Sequence, residues 1–260
     1  MDDSLPISVL VLANHIDEHF ERCLRSVAWA GEVVIGWTNE TALTTEEHDS
    51  LKNIVTALKV VHIPGRITDF AATRNSLHSK AQFDWMFWLD SDEVVLPESI
   101  AHIEKLVNSP QIGGAMIRRL DTFAGKTLRW GEVRDVRIIR IFHKSSGMFV
   151  RPVHEVAKVD GEVIDPGIVI EHFAHSSISS FLTKAISYSQ IEAKLRHQQG
   201  RQTSALELIV WPMGKFLHNM FFRFAFLDGW QGIAYATVMS IHSLSVRACL
   251  LEMERGNAET

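Results

Sequence analysis

The chain has 260 residues, of which 46% are hydrophobic and 22% charged, the composition of one large globular domain or one domain with an appendage. Its formal net charge of −5 argues against wholesale nucleic-acid binding, so no nucleic-acid partner is expected, although a local basic patch is compatible with it. Two cysteines, Cys23 and Cys249, make no disulfide framework; both lie in apolar helical patterns and suit buried thiols in a reducing compartment.

Taken in order, the first half alternates strands and helices. Ile7–Leu12 is a short apolar run rich in β-branched residues, as in a strand buried on both faces. Phe20, Cys23, Leu24 and Val27 recur at helical spacing. Glu32–Ile35 reads as a strand, and Thr44–Leu58 as a helix with Thr44 as cap and Glu47 three residues on. Lys59–Ile63 is a strand stopped by Pro64-Gly65, Asp69–Ala81 a helix, Phe83–Leu89 a strand, and Pro97–Val107 a helix with proline in its first turn. This rhythm predicts an α/β fold with a mostly parallel sheet covered on both faces. From Ile112 to Ala174 shorter strand-like pieces follow (Gly114–Arg119, Val136–His143, Val153–Val159 and Ile168–Phe173), separated by glycine turns, and read as an antiparallel or mixed extension of the sheet. From Ile178 the pattern is helical, with segments Ser204–Phe226 and Trp230–Met253 parted by Asp228-Gly229. No internal repeat is visible.

The most informative stretch is Trp85-Met86-Phe87-Trp88-Leu89-Asp90-Ser91-Asp92-Glu93. Residues two apart on a strand point the same way, so Asp90 and Asp92 are expected to present two carboxylates to one point at the strand's end. Hard divalent cations, Mg²⁺ or Mn²⁺, take oxygen ligands and bridge carboxylates to a diphosphate. The bland alternative is that Ser91, Asp92 and Glu93 are acidic residues at the start of a helix. A second signal is Asp69-Phe70-Ala71-Ala72-Thr73-Arg74-Asn75, at a helix N-terminus after a Pro-Gly turn. Such a terminus favours anions, and Arg74 there could grip phosphate bidentately; the alternative is a solvated arginine and a local asparagine. Thirteen histidines invite a zinc site, and His172 and His175 are three apart with His143 and His154 nearby in sequence, but no paired spacing recurs and no cysteine accompanies them.

The order of Arg22-Cys23-Leu24-Arg25-Ser26-Val27, Phe70-Ala71-Ala72-Thr73-Arg74-Asn75 and Leu89-Asp90-Ser91-Asp92-Glu93 resembles glycosyltransferase family two, and more narrowly the bacterial lipopolysaccharide-core β-glucosyltransferases. Later pieces agree: Arg137-Ile138-Ile139-Arg140-Ile141-Phe142, Arg151-Pro152-Val153-His154-Glu155, His172-Phe173-Ala174-His175 and Phe226-Leu227-Asp228-Gly229-Trp230. The resemblance implies a GT-A fold, a Rossmann-like mixed sheet flanked by helices. On that reading residues 1–176 form the catalytic domain, with a nucleotide half at 1–110 and an acceptor half at 111–176, and 177–260 form a helical C-terminal extension. It implies inverting transfer of a hexose from a nucleotide-diphosphate sugar, with a UDP-sugar favoured, to a glycolipid or lipopolysaccharide-core acceptor. The expected general base is Glu155, with Asp135 second. The expected nucleotide-sugar contacts are Asn14, Asn39, Glu40, Arg74, Asn75, Asp90 and Lys184. The expected cation ligands are Asp90, Asp92 and His154, the last alternatively contacting the diphosphate or packing at a strand end. The chain departs from the resemblance at Gly36-Trp37-Thr38-Asn39-Glu40, where relatives carry an Asp-rich turn that holds the nucleoside. It departs again at Asn14-His15, where relatives often show Asn-Glu. Trp37 either stacks on a base or packs.

The last third, from Trp211-Pro212-Met213 through Phe221-Phe222-Arg223-Phe224-Ala225-Phe226, mixes aromatic, apolar and basic residues. It suits a helix lying in a membrane interface, with Pro212 kinking or starting it; the alternative is packing on the catalytic domain or at a dimer seam. Ile233–Leu251 contains His242 and Arg247, which disfavours a spanning helix. The start Met1-Asp2-Asp3-Ser4 has no basic region and no cleavage site, so no signal peptide is expected. The expected location is therefore the cytoplasm, peripheral on the inner face of the membrane. Two other readings stand beside the transferase: a non-catalytic nucleotide-binding relative, and a sugar nucleotidyltransferase. The second is disfavoured because Leu12-Ala13-Asn14-His15-Ile16 lacks the Gly-rich basic loop that chemistry uses.

Overall fold

The computed structural model describes residues 4–65, 67–109, 111–151, 155–175 and 177–256. In chain order they form β1 (Leu5–Ala13), α1 (Glu18–Ser26), β2 (Ala30–Trp37), α2 (Thr45–Ile54), β3 (Leu58–His62), α3 (Phe70–His78), β4 (Trp85–Asp90), β5 (Glu93–Val95), α4 (Ile100–Val107) and β6 (Ile112–Phe123). There follow β7 (Lys126–Thr127), β8 (Arg137–His143), β9 (Gly147–Val150), β10 (Val156–Val159), β11 (Glu162–Ile164), β12 (Val169–His175), α5 (Ile178–Gln198), α6 (Glu207–Leu217) and α7 (Trp230–Gly256). The chain forms two compact units, Met1–Arg119 with Arg137–His172, and Leu120–Val136 with Phe173–Thr260.

The first unit is built on a mixed sheet of order β3-β2-β1-β4-β8-β6-β12-β5. β3, β2, β1 and β4 run parallel, while β8 pairs antiparallel with both β4 and β6. The central strand β1 alternates as a doubly covered strand must. Ile7, Val9 and Val11 join Phe20, Cys23 and Leu24 of α1, Leu51 of α2 and Ile103 of α4 in one core. Leu10 joins Met86, Trp88 and Leu77 of α3, with Phe142 and Phe149, in the other. The expected α/β sheet flanked by helices is therefore present. Each early helix starts on the cap its sequence advertises. Asp17 accepts from the Phe20 N–H at 2.8 Å and Asp69 from the Ala72 N–H at 2.8 Å, and Thr44 and Glu47 close a reciprocal capping box. Each cap contributes about 1 kcal/mol. Gly36 lets α3 approach β2 closely: a Cβ there would sit 2.6 Å from Leu12 Cδ2 and 2.7 Å from Leu77 Cδ1.

Glu93 opens β5, which pairs antiparallel with β12, so Ser91–Glu93 does not begin a helix. The helix before Val107 opens with a 3₁₀ turn at Pro97–Ser99. The strand expected at Val153–Val159 is seen from Val156, and Pro152 to His154 lie outside the described residues.

In the second unit Phe123, Leu128, Val133, Phe181, Ala185 and Val238 make one core. The His175 ring stacks on Phe181 at 3.8 Å between centroids. Buried Asp228 accepts from the N–H groups of Arg129 and Trp130 at 2.9 and 2.8 Å, and Lys126 donates to its carbonyl at 2.6 Å. The helix expected over Ser204–Phe226 is broken. α6 ends at Leu217, a π-turn covers His218–Phe222, and Phe224 adopts a left-handed φ of 57° that stops helical propagation. Pro212 neither starts nor ends α6. It lies inside the helix, buried, with its carbonyl accepting from Ser240 Oγ at 2.6 Å. α7 has the length and composition of a membrane-crossing helix, with 33% of its most apolar window buried. It packs along α5 and α6 and carries buried Arg247.

Candidate active site

Parallel register sets the geometry. Leu12 of β1 lies beside Asp90 of β4 and Ala13 beside Trp37 of β2, so the chain leaves all three strands at one edge. β2 and β4 flank β1 on opposite sides, which makes this edge a topological switch point, where open α/β sheets bind ligands. A cavity of about 510 Å³ lies there, lined by Asn14, Thr38, Gly65, Ile67, Phe70 and Ser91, with Leu12 and Ala13 below. That volume falls within the range of small-molecule sites.

Beside Ser91 is a partly buried ionic network, with the Asp90 side chain 32% exposed. Arg74, 4% exposed, donates from Nη2 to Asp90 Oδ1 at 2.5 Å and from Nε to Glu155 Oε1 at 3.0 Å. Its guanidinium lies 5.0 Å from the Trp88 ring centroid and 5.2 Å from that of Phe149. Arg140 donates from Nη2 to Asp90 Oδ2 at 2.6 Å and stands 3.5 Å from Glu93 Oε1. Fully buried Glu93 accepts the Asp90 backbone N–H at 2.9 Å. Two guanidiniums thus serve three carboxylates. Burial alone would raise the Asp90 pKa, but Arg140 and Arg74 outweigh it and hold the group far below the ordinary carboxylate range. Burial raises the pKa of Glu93, with Asp90 adding to the rise and Arg140 opposing it. Buried Arg74 Nη1 has no hydrogen-bond partner, an unmet donor that adds to the cost of burying this guanidinium. A second cavity, about 440 Å³, is lined by Glu155 and Arg140 of this network with Met116, Arg119 and Phe149.

Three of the residues singled out from sequence, Arg74, Asp90 and Glu155, therefore meet, and Asn14 lines the neighbouring cavity. Others have different roles from those expected. β4 ends at Asp90, and Ser91 and Asp92 form a turn, so the two aspartates do not share a strand face. Asp90 is taken up by guanidiniums, while Asp92 pairs with His172 Nε2 at 3.5 Å. Arg74 points to carboxylates and is too buried to grip a phosphate as a surface arginine would. Asn75 spends its amide on the Phe149 backbone, donating to the carbonyl at 2.8 Å and accepting from the N–H at 2.9 Å; it ties α3 to β9. Trp37 is buried and donates to the Thr41 carbonyl at 2.8 Å, so it packs and does not stack on a base. Asn39 shapes the turn, donating to the Asn14 carbonyl at 2.8 Å and accepting from Thr41 N at 3.0 Å; its neighbour Thr38 reaches the cavity. Glu40 is exposed. Asp135, 3.8 Å from Arg134, and Lys184, on α5, are exposed residues of the second unit. His154 lies outside the described residues. Among the described residues no group of three or more His, Cys, Asp or Glu stands ready to hold a metal ion.

Sequence reasoning passed over Arg140, Glu93 and His172 as site residues. Arg140 left a signal: a cation amid the apolar run Ile138–Phe142 has to be buried, and a buried cation needs a carboxylate.

No family model matches the chain. Among solved structures the chain is similar to S. aureus TarS, with 15% identity and a TM-score of 0.46 over 94% of this chain and 55% of that one. It thus spans about half of that protein's length. It is also similar to TarS 1-349, with 13% identity and a TM-score of 0.42 over 97% of this chain and 92% of that one. Identities this low leave activity to be argued from the site itself.

Proposed function

We propose that the chain is an inverting glycosyltransferase of the GT-A type, moving a hexose from a nucleotide-diphosphate sugar, by preference a UDP-sugar, to a glycolipid acceptor such as a lipopolysaccharide core. The observation that carries this reading is the cavity at the switch point, whose wall includes Ser91 next to Asp90 in the chain, together with a second cavity lined by Glu155 and Arg140 of the network that Asp90 and Arg74 complete. The cavity at the switch point takes the nucleotide, with Asn14, Thr38 and Phe70 around it. The other takes the acceptor sugar. Glu155, on the wall of the second cavity, accepts the proton of the acceptor hydroxyl. The acceptor oxygen then bonds to the anomeric carbon as the bond to the diphosphate breaks, and the electron pair leaves on the nucleoside diphosphate. Asp90, fixed by two arginines, is a rigid acceptor for hydroxyls of the donor, and Arg74 sets its distance from Glu155.

Asp92 is the carboxylate of the acidic turn that neither guanidinium takes. A cation of the magnesium type needs only one or two carboxylates when substrate phosphates supply further ligands, so Asp92 fits a cation that arrives with the diphosphate. Such a cation would neutralise charge on the departing group.

The membrane part of the reading is supported by the second unit. Leu206, Ile209, Trp211, Met213, Phe221, Phe222 and Trp230 are each more than half exposed, and the only charges between Leu208 and Leu227 are Lys215 and Arg223. Apolar surface with basic residues suits an anionic bilayer, here the inner face of the cytoplasmic membrane. A second reading, a nucleotide-binding relative without transfer, draws on one observation: Arg74 already engages Glu155. The two separate on Glu155→Gln. The transferase reading expects donor binding to survive while transfer falls to background. Retained transfer would move the base elsewhere, and absence of transfer in the parent protein with intact donor binding would favour the second reading.

A further inference from the structure

We propose that the second unit carries a binding site for the phosphate headgroup of an anionic lipid, in the cavity between α5, α6 and α7. This cavity measures about 590 Å³, and Arg196, Trp211, Lys215, His218, His242 and Arg247 are among its lining residues. Three permanent cations face it against one lining carboxylate, Glu192.

The cations are only partly satisfied within the protein. Arg196 pairs with Glu192 at 2.5 Å, and Lys215 with Glu132 at 3.1 Å. Arg247, 9% exposed, donates from Nη1 to the Ser243 carbonyl and hydroxyl at 2.9 and 2.8 Å. Its Nε is buried with no hydrogen-bond partner, and Glu207 Oε2 stands 3.9 Å away, out of hydrogen-bond reach. A buried guanidinium with an unmet donor is costly. Burial, reinforced by Arg196, lowers the Arg247 pKa, so an anion in the cavity offsets the repulsion between the two guanidiniums. A phosphate is the natural match for two arginines and a lysine.

The rest of the wall selects a lipid. The Arg247 guanidinium lies 4.9 Å from the Trp211 ring centroid, and Trp211 and Val210 both line the cavity and are 52% and 54% exposed. The cationic pocket is therefore continuous with the apolar face of α6, where Ile209 and Met213 are 60% and 58% exposed. A free phosphate has no use for that face; an acyl chain does. The lipid half of this inference rests on the membrane-facing reading above and is independent of glycosyl transfer.

The test is calorimetry on the full chain with dihexanoyl phosphatidic acid, dihexanoyl phosphatidylcholine and inorganic phosphate, each below any micelle threshold. Phosphatidic acid should bind, phosphatidylcholine should not at the same concentrations, and phosphate should compete weakly. Losing one charged hydrogen bond should weaken binding about tenfold or more in Arg247→Met and in Lys215→Met. Lys194→Met, an exposed change on α5, should leave it unaltered. Thermal melts identify any variant that fails to fold, and Lys215→Met keeps the test decisive should Arg247→Met be one. Equal binding of the two lipids, or unchanged affinity in Lys215→Met, overturns the site. Phosphate binding as tightly as phosphatidic acid overturns its assignment to a lipid. Donor-nucleotide titrations on the same samples report separately on the transferase reading.

Discussion

Replacing Arg74 by methionine isolates the central network. The change keeps a long stem against Trp88 and Phe149 and removes the guanidinium that joins Asp90 to Glu155. Removing one partner of a buried ion pair costs about 3–5 kcal/mol. Two features place this case at the lower end: Asp90 keeps Arg140 at 2.6 Å, and the Glu155 side chain is 19% exposed, so water can reach it. The expected loss is about 3 kcal/mol at pH 7, a fall in Tm of roughly 6–12 °C for a chain of this size. Urea unfolding should show a lower midpoint at constant m-value. The pH dependence has a definite sign. The pKa of Asp90 is depressed in the fold, so its contribution is full above the ordinary carboxylate pKa and is lost as pH falls toward the folded value. The gap between parent and variant should therefore shrink below about pH 4. A double-mutant cycle with Glu155→Gln should give a coupling of about 1–3 kcal/mol. A loss below about 1 kcal/mol, with additive single mutants, would refute the idea that Arg74 is the clamp.

Asn75→Ala should cost about 1–3 kcal/mol, because it orphans backbone groups of Phe149, and should leave donor affinity unchanged; weakened donor binding in a folded variant would return Asn75 to the nucleotide site. Burial, with Lys144 adding, lowers the His78 pKa from 6.5 to about 4. The unfolded chain therefore takes up the proton first, and stability is lost as pH falls from about 6.5 toward about 4. The loss should be about 1–2 kcal/mol between pH 7 and pH 5, discounted for the partial exposure of His78. His78→Gln should flatten that slope in urea titrations, and an unchanged slope would assign it to other groups. Phe221→Ser with Phe222→Ser, at 62% and 75% exposure, should lower sedimentation with anionic vesicles while changing stability by about 0.5 kcal/mol or less per site; undiminished sedimentation would remove this face from the membrane.

Much of the first unit can be read locally. The β-branched run at Ile7–Leu12, the Thr44 to Glu47 spacing and the Pro64-Gly65 stop each specify their element through short-range sterics and hydrogen bonds; each element formed, although α2 ends at Ile54, short of the expected Leu58, which opens β3. What escaped depends on distant partners. The fate of Asp90 is decided by Arg140, fifty positions along the chain, and that of Asn75 by the backbone of Phe149, seventy-four positions along. Arg140, a cation in an apolar run, called for a carboxylate without saying which one, and Asn75 gave no sign of its partner, so local spacing assigned neither pairing. The same holds for Trp37, whose indole is claimed by Thr41 across the turn. In the second unit the apolar run from Trp211 to Phe226 looked like one helix, because composition does not encode the π-turn at His218–Phe222 or the left-handed Phe224. The segment Leu120–Val136, read as part of a continuous sheet extension, clusters with the helices through Phe123, Leu128 and Val133.

The proposed function requires the edge of β1, β2 and β4 to hold a nucleotide-diphosphate sugar. Its most direct test is a calorimetric titration of the full chain with a panel of nucleoside diphosphates and nucleotide sugars, with Mn²⁺ and with a chelator. The account predicts one-to-one binding of one nucleotide class in the presence of the cation, weakened by the chelator and by Asp92→Ala. Absence of binding by every nucleotide in both conditions would contradict it.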